Sequence, residues 1–156
     1  MKPKHFSTAD ALPLMKETLE HGGSFRLVVT GNSMLPFLRH TRDAVVVTPL
    51  SSPPKKGDIL LYLRTPQKVI LHRVHKIHPS GTLIMCGDSQ VATEPIHPDQ
   101  VLARVSHIQR KETLISCSSL SWRAATALWQ WLYPVRPYLL AILKKLKLIR
   151  YAVLES

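Results

Sequence analysis

Between residues 24 and 110 the chain is a succession of short apolar and β-branched runs, separated by turn residues, and this pattern restricts the fold more than any other feature. Such runs are typical of strands, and the segments between them are too short to hold crossover helices. We therefore predict a mainly β fold, a curled antiparallel sheet. The predicted strands are SFRLVVTGNSM, DAVVVT, ILLYLR, KVILHRVHKI, TLIMCGD and HPDQVLARVSHIQR.

Helical periodicity is confined to the two ends of the chain. At the N-terminal end, Asp10 is placed to cap a short helix that carries an apolar stripe. At the C-terminal end, amphipathic helices are predicted over residues 122–132 and 138–149, with the prolines of YPVRP interrupting them. We predict three parts: an N-terminal helical extension (1–23), a β domain (24–115) and a basic amphipathic helical tail (116–156).

The formal net charge of +11 is unevenly placed, because eight Lys or Arg residues but only two acidic residues follow position 105. A basic end of this kind favours anionic partners. Two interpretations of the tail stay open: its apolar stripe packs on the β domain, or the stripe lies on an anionic membrane surface.

No run of the sequence approaches the roughly 20 apolar residues that span a bilayer. We expect a cytoplasmic protein, with peripheral membrane contact under the second interpretation. The stripe consists of Leu139, Ile142, Leu143, Leu146 and Ile149.

No cofactor or metal is expected from the sequence. Cys86 and Cys117 have neither CxxC spacing nor nearby ligand partners, so we expect free thiols. His72, His75 and His78 lie on one predicted strand, where His75 points away from the other two. The tryptophans of the tail are interpreted as packing anchors rather than platforms for stacking nucleic-acid bases.

Ser33 is a candidate nucleophile, because it follows directly after a predicted strand in the sequence GNSMLPFL. Gly31 allows a sharp turn there, and backbone N–H groups at such a turn can point at a developing oxyanion. A serine hydroxyl needs a base within hydrogen-bond reach to become reactive. The turn alone is a weak signal, since most Gly-x-Ser turns are structural.

Four segments strengthen the signal by their order along the chain. They follow one another as the conserved boxes do in the signal peptidase superfamily, which also includes the LexA-type self-cleaving repressors. The resemblance extends from about Leu27 to Val105 and implies a serine endopeptidase on a β fold. The matching segments are GNSMLPFLRHTRDAVVV, KKGDILLY, VILHRVHKI and MCGDS.

The resemblance also implies roles for individual residues. Ser33 matches the nucleophile. The base is a Lys in bacterial leader peptidases and LexA-type proteins, but a His before Arg-Val in the endoplasmic reticulum and archaeal type. The segment LHRV resembles the second pattern and gives the role to His72. For the acid that orients His72, the Gly-Asp box points to Asp88, with Glu94 as the alternative.

The oxyanion hole and the membrane anchor depart from that pattern. Many signal peptidases have a Ser two positions before the nucleophile, where this sequence has Gly31. We expect the Ser33 backbone and Asn32 to supply the oxyanion donors, with Thr30 as another candidate. The membrane-spanning anchor of signal peptidases is not found in the sequence, so the substrate need not be an exported preprotein.

Three functions are compatible with these residues. We favour a serine endopeptidase that processes a leader or precursor peptide after small residues. A LexA-like self-cleaving regulator is the first alternative, although no DNA-reading helical module or Ala-Gly cleavage site is evident, and nucleic acid is not an expected partner. A catalytically silent peptide-binding module is the second, and the joint presence of Ser33, His72 and Asp88 speaks against it.

Overall fold

A computed structural model describes residues 8–66 and 68–146 of the chain. The predicted mainly β architecture with helices at both ends is confirmed. In chain order the elements are α1 (Thr8–Glu20), β1 (Phe25–Val28), β2 (Asp43–Thr48), β3 (Ile59–Thr65), β4 (Lys68–Ile77), β5 (Leu83–Cys86), β6 (Thr93–Ile96), a 3-10 turn (Pro98–Gln100), β7 (Val101–Arg110), β8 (Thr113–Ser116), α2 (Leu120–Trp131), a 3-10 turn (Tyr133–Val135) and α3 (Arg136–Lys145).

The eight strands form one open sheet in the order β1-β2-β7-β3-β4-β5-β6, with β8 pairing to β7. Every described pairing is antiparallel. Strands β6 and β8 were not predicted. Pro95 lies in β6, which lies at one end of the strand order, where a residue without an N–H is tolerated.

Strand β3 lies between β7 and β4 and is apolar on both faces. On one face Ile59 and Leu61 belong to the main core, together with residues of β2 and β7. On the other face Leu60 and Tyr62 join a second cluster with residues of β4 and β5. A strand buried on both sides is expected to be a continuous apolar run, as ILLY is.

Helix α1 packs directly on the main core. Its residues Met15 and Leu19 are buried in that core. The described part of the helix already includes Thr8, so the predicted cap Asp10 lies inside the helix. It therefore covers one face of the sheet, while the predicted domain boundary at residue 23 stays a prediction.

The C-terminal helices pack against the turn that follows Ser33. Trp129 of α2 and Leu140 of α3 form a third apolar cluster with Leu35. Of the predicted stripe, Leu139 and Leu143 pack against this cluster, whereas Ile142 and Leu146 are exposed. Ile149 lies outside the described residues. Within residues 8–66 and 68–146, none of the helices has the length and apolar character that crossing a bilayer requires.

Candidate active site

Ser33 lies on the turn that leaves the end of β1. Gly31 has a φ of +82°, a conformation that favours glycine. Its N–H donates to Nδ1 of His40 at 2.9 Å. The next residues, Met34 and Leu35, are buried in two different clusters, the main core and the cluster formed with the C-terminal helices, and so anchor the turn. Ser33 itself is half-buried.

The backbone of Ser33 is held by the loop that follows β5. Its carbonyl oxygen accepts a hydrogen bond from the N–H of Ser89 at 2.9 Å. The hydroxyl of Ser89 donates to the Asn32 carbonyl at 2.8 Å. A Cβ added to Gly87 would lie 2.6 Å from the Ser33 carbonyl oxygen, closer than packed atoms approach. Glycine at position 87 therefore lets this loop approach the turn that carries Ser33.

Ser33 and His72 line the same groove, which has a volume of about 250 Å³. Among the described residues no hydrogen bond joins the Ser33 hydroxyl to His72. Catalytic hydrogen bonds are often long without substrate and tighten when it binds. The lining includes the basic residues Arg64 and His72 but no lysine of the described chain. Lys68 and Lys76 of β4 are exposed and do not line it.

Two strand edges border this groove. Strand β1 pairs with β2 alone within the described sheet. Strand β4 pairs with β3 from Lys68 onward, but its pairing with β5 begins only at Arg73. Residues 27–28 and 69–72, which line the groove, thus lie on strands whose other edge has no strand partner in this part of the chain.

The imidazole of His72 is contacted by Tyr62 of the neighbouring strand β3 and by Glu94 of β6. Its Nδ1 is 3.2 Å from the hydroxyl of Tyr62, which donates to Oε1 of Glu94. The same carboxylate oxygen lies 3.7 Å from Nδ1 of His72. Since the single hydroxyl proton of Tyr62 goes to Glu94, the hydroxyl oxygen accepts from Nδ1–H. This arrangement assigns the proton of a neutral His72 to Nδ1 and leaves Nε2 as the basic nitrogen.

Burial and charge shift the pKa values of this group. Burial lowers the pKa of His72, and the charge of Glu94 opposes that shift only in part. Burial alone would raise the pKa of Glu94, but hydrogen bonds from Arg64 and Tyr62 outweigh it and hold that pKa below its usual value. Burial and the adjacent Glu94 carboxylate raise the pKa of Tyr62. Near neutral pH the group therefore consists of a neutral imidazole, a neutral phenol and a carboxylate.

Asp88, the acid that the sequence favoured, is engaged elsewhere. Its carboxylate accepts two hydrogen bonds from Arg73, at 2.8 and 2.7 Å, and both side chains are 1% exposed. Arg73 also donates to the Gly57 carbonyl and lies over the ring of Phe37. This ion pair connects β4 to the loop that holds Ser33. The geometry thus places Glu94, the alternative acid, at Nδ1 of His72.

A comparison with protein families supports the resemblance to the signal peptidase and LexA superfamily that the four sequence segments indicated. The model of the Peptidase S24-like family matches residues 3–106, about two-thirds of the chain. The chain belongs to the Peptidase S24-like family. Membership supports a peptidase-type hydrolase of the LexA and signal peptidase I superfamily. Comparison with curated proteins gave no match.

Helices α2 and α3 of this Peptidase S24-like chain lie beyond the matched segment, yet they hold the loop behind Ser33. Trp129 Nε1 donates to the Asp88 carbonyl at 2.9 Å, and the Tyr133 hydroxyl donates to the Val91 carbonyl. Arg136 is buried, donates to the Gln90 carbonyl at 3.2 Å and contacts the rings of both Trp129 and Tyr133. We call this set of contacts the C-terminal clasp.

Sequence reasoning missed Tyr62, Arg73 and the clasp residues. A signal for Tyr62 was present, because a hairpin joining ILLYLR to KVILHRV places alternate residues on one face. In the structure Leu60 pairs with His72, so Tyr62 and His72 share a face. No local pattern indicates the clasp, since its residues contact a loop about 40 positions earlier in the chain.

Proposed function

We propose that this chain is a serine endopeptidase with a Ser-His pair, as in the His-base branch of the signal peptidase superfamily. Ser33 Oγ attacks the scissile carbonyl, and Nε2 of His72 takes the hydroxyl proton. His72 then gives that proton to the leaving amine, and water hydrolyses the acyl-enzyme. The observation that supports this proposal is a groove lined by both Ser33 and a buried His72 whose Nδ1 is already bonded.

In this proposal Tyr62 and Glu94 are positioning residues. They fix the tautomer that exposes Nε2 to the groove, and they stabilise the imidazolium that forms when His72 accepts the proton. The carboxylate is suited to this role because Arg64 donates to it and keeps it ionised, while its Oε1 still accepts from Tyr62. Asp88 acts one step further away, by holding the loop on which the Ser33 carbonyl rests.

The backbone N–H of Ser33 is the favoured oxyanion donor. It donates no hydrogen bond to any described residue, and Ser33 lines the groove. Asn32, the second donor expected from the sequence, is not among the groove-lining residues, and its carbonyl accepts from Ser89. Thr30 lines the groove and is the side chain better placed to assist.

The substrate fits as an extended peptide. Unpaired N–H and C=O groups along a strand edge are a template for β-strand addition, and edges of β1 and β4 border this groove. Apolar side chains of both strands line it, which suits small or aliphatic residues near the cleavage point. We therefore propose a leader or precursor peptide as substrate, cut in an extended conformation.

The test is peptide cleavage measured by mass spectrometry on a proteome-derived peptide mixture. Ser33→Ala should lower cleavage by about 10⁴-fold or more while the fold is kept, and His72→Ala should have a comparable effect. Lys68→Ala is the matched control and should cleave normally. A fully active Ser33→Ala protein would refute the catalytic proposal, whereas loss only in Lys68→Ala or Lys76→Ala would restore a Ser-Lys pair.

The same samples distinguish the LexA-like alternative. The intact mass of the chain is measured after incubation without peptide. A Ser33-dependent cut within the chain itself, with the peptide mixture left whole, would favour a self-cleaving regulator over an enzyme that acts on other chains. A mixture and a chain that both stay intact would favour the silent binding module.

A further inference from the structure

Helix α2 has apolar side chains on two opposite faces. Trp129 lies on the inner face, is 9% exposed, and packs in the cluster with Leu35 and Leu140. On the outer face Leu120, Leu128 and Trp131 are exposed, and Trp131 has 76% of its surface free. A surface helix normally has a polar outer face, so this apolar stripe is not accounted for by packing within the domain.

Helix α3 repeats this arrangement. Its inner residue Leu140 is buried, whereas Tyr138, Ile142 and Leu146 are exposed at intervals of four residues. This spacing puts the three on one side of the helix. Seven of the twelve large apolar side chains that the described residues expose lie between Leu120 and Leu146. We call the exposed apolar side of α2 and α3 the outer face.

The charged residues on the helices of the outer face are all basic, and the one acid in the groove beside Leu120 and Trp131, Asp58, is paired with Arg104. The sequence from residue 113 to residue 146 contains no Asp or Glu. Arg123 of α2 and Lys145 of α3 are exposed beside the apolar stripes. The remaining arginine of this segment, Arg136, is buried in the C-terminal clasp.

We propose that the outer face of α2 and α3 binds the surface of an anionic lipid bilayer. Exposed apolar stripes with cations beside them and no acid on either helix match a layer of hydrocarbon under anionic phosphates. Trp131 and Tyr138 are the side-chain types that settle at the depth of lipid headgroups. A second copy of this chain is a poorer match, because its outer face would bring the same positive charge to the contact.

Sedimentation of the full chain with vesicles tests this directly. The two vesicles are phosphatidylcholine alone and phosphatidylcholine with phosphatidylserine, each at low and high salt. We expect binding to the anionic vesicles at low salt, weaker binding to the neutral ones, and a steep loss with salt. A chain that stays in the supernatant with anionic vesicles at low salt overturns the proposal.

Matched variants separate the outer face from general basic charge. Lys145→Gln should weaken binding about fivefold, the effect of one cation near an anionic leaflet, whereas Lys16→Gln on α1 removes the same charge and should change nothing. Trp131→Gln and Ile142→Gln should each weaken it about tenfold, and the exposed Leu14→Gln should not. Equal losses in the outer-face and α1 variants would overturn the proposal.

Light scattering tests the competing occupant. We expect the mass of a monomer in the absence of lipid, for the native chain and for Trp131→Gln alike. A dimer that Trp131→Gln dissociates would assign the outer face to a second copy and overturn the membrane proposal. None of these readouts requires peptidase activity, so the result is independent of the proposed catalysis.

Discussion

Replacing Glu94 by Gln gives the sharpest test of how His72 is activated. The substitution keeps the size of the side chain and a carbonyl oxygen that can accept from Tyr62, but it removes the negative charge. It also leaves the Arg73–Asp88 pair intact. One variant therefore tests Glu94 without disturbing Asp88, the acid that the sequence favoured.

The magnitude follows from the distance between the charge and the imidazole. Oε1 of Glu94 lies 3.7 Å from Nδ1 of His72. At an effective dielectric constant of about 20, that separation corresponds to an attraction of about 4 kcal/mol for the imidazolium formed in the transition state. Glu94 is 27% exposed and paired with Arg64, so part of this attraction is screened. A remaining effect of about 1 to 3 kcal/mol lowers kcat/KM by about 5- to 150-fold.

The pH dependence provides a second, independent readout. Burial lowers the pKa of His72 below its ordinary value of 6.5, and Glu94 raises it in opposition. In the proposed mechanism His72 acts as a base only when neutral, so activity should fall as pH drops through its pKa. Without the charge of Glu94 that pKa decreases further. We therefore expect the acidic limb of kcat/KM to move to lower pH in Glu94→Gln, although the maximum rate is lower.

The assay is a pH series of initial rates with one cleaved peptide from the mixture experiment. Glu20→Gln, an exposed acid of α1, is the control and should match the native profile. A Glu94→Gln enzyme with native rate and native pH profile would show that Glu94 does not act on His72. A limb displaced to higher pH would contradict the electrostatic reasoning itself.

Three further predictions concern the loop behind Ser33. Asp88→Asn breaks a buried ion pair with Arg73 and should lower the free energy of unfolding by about 3 to 5 kcal/mol in urea denaturation; a loss below 1 kcal/mol would contradict the buried pairing. Gly87→Ala should displace the Ser33 carbonyl and lower kcat about 100-fold with binding less affected, and unchanged kcat would show that the close approach is not required. Arg136→Met should destabilise the protein by about 2 kcal/mol or more, measured by thermal unfolding, because buried carbonyls lose their donor.

Much of the sheet could be predicted from the sequence because its signals are local. The strand predicted at DAVVVT is found as Asp43–Thr48, and KVILHRVHKI is found as Lys68–Ile77. Strand Thr93–Ile96 was missed because its proline argues against a strand, and only the position of β6 at the end of the strand order resolves that conflict.

The candidate site could be predicted only where a sequence box named a residue. Ser33 and His72 came from such boxes, and the structure places both in one groove. The contact between Tyr62 and His72 depends on strand register, which a shift of one residue would reverse. The choice between Asp88 and Glu94 depends on which of the two carboxylates pairs with Arg73. No local sequence pattern indicates that pairing.

The C-terminal clasp has a consequence for the order in which the protein is made. Ser33 and His72 are synthesised early, but the loop that holds the Ser33 carbonyl is secured by Trp129, Tyr133 and Arg136. A nascent chain that ends before these residues contains Ser33 and His72 without the contacts that fix the loop. Under the proposed catalysis, full activity therefore waits until Arg136 has been synthesised and has packed against the loop, and a chain truncated before it would carry both residues of the pair without a fixed site.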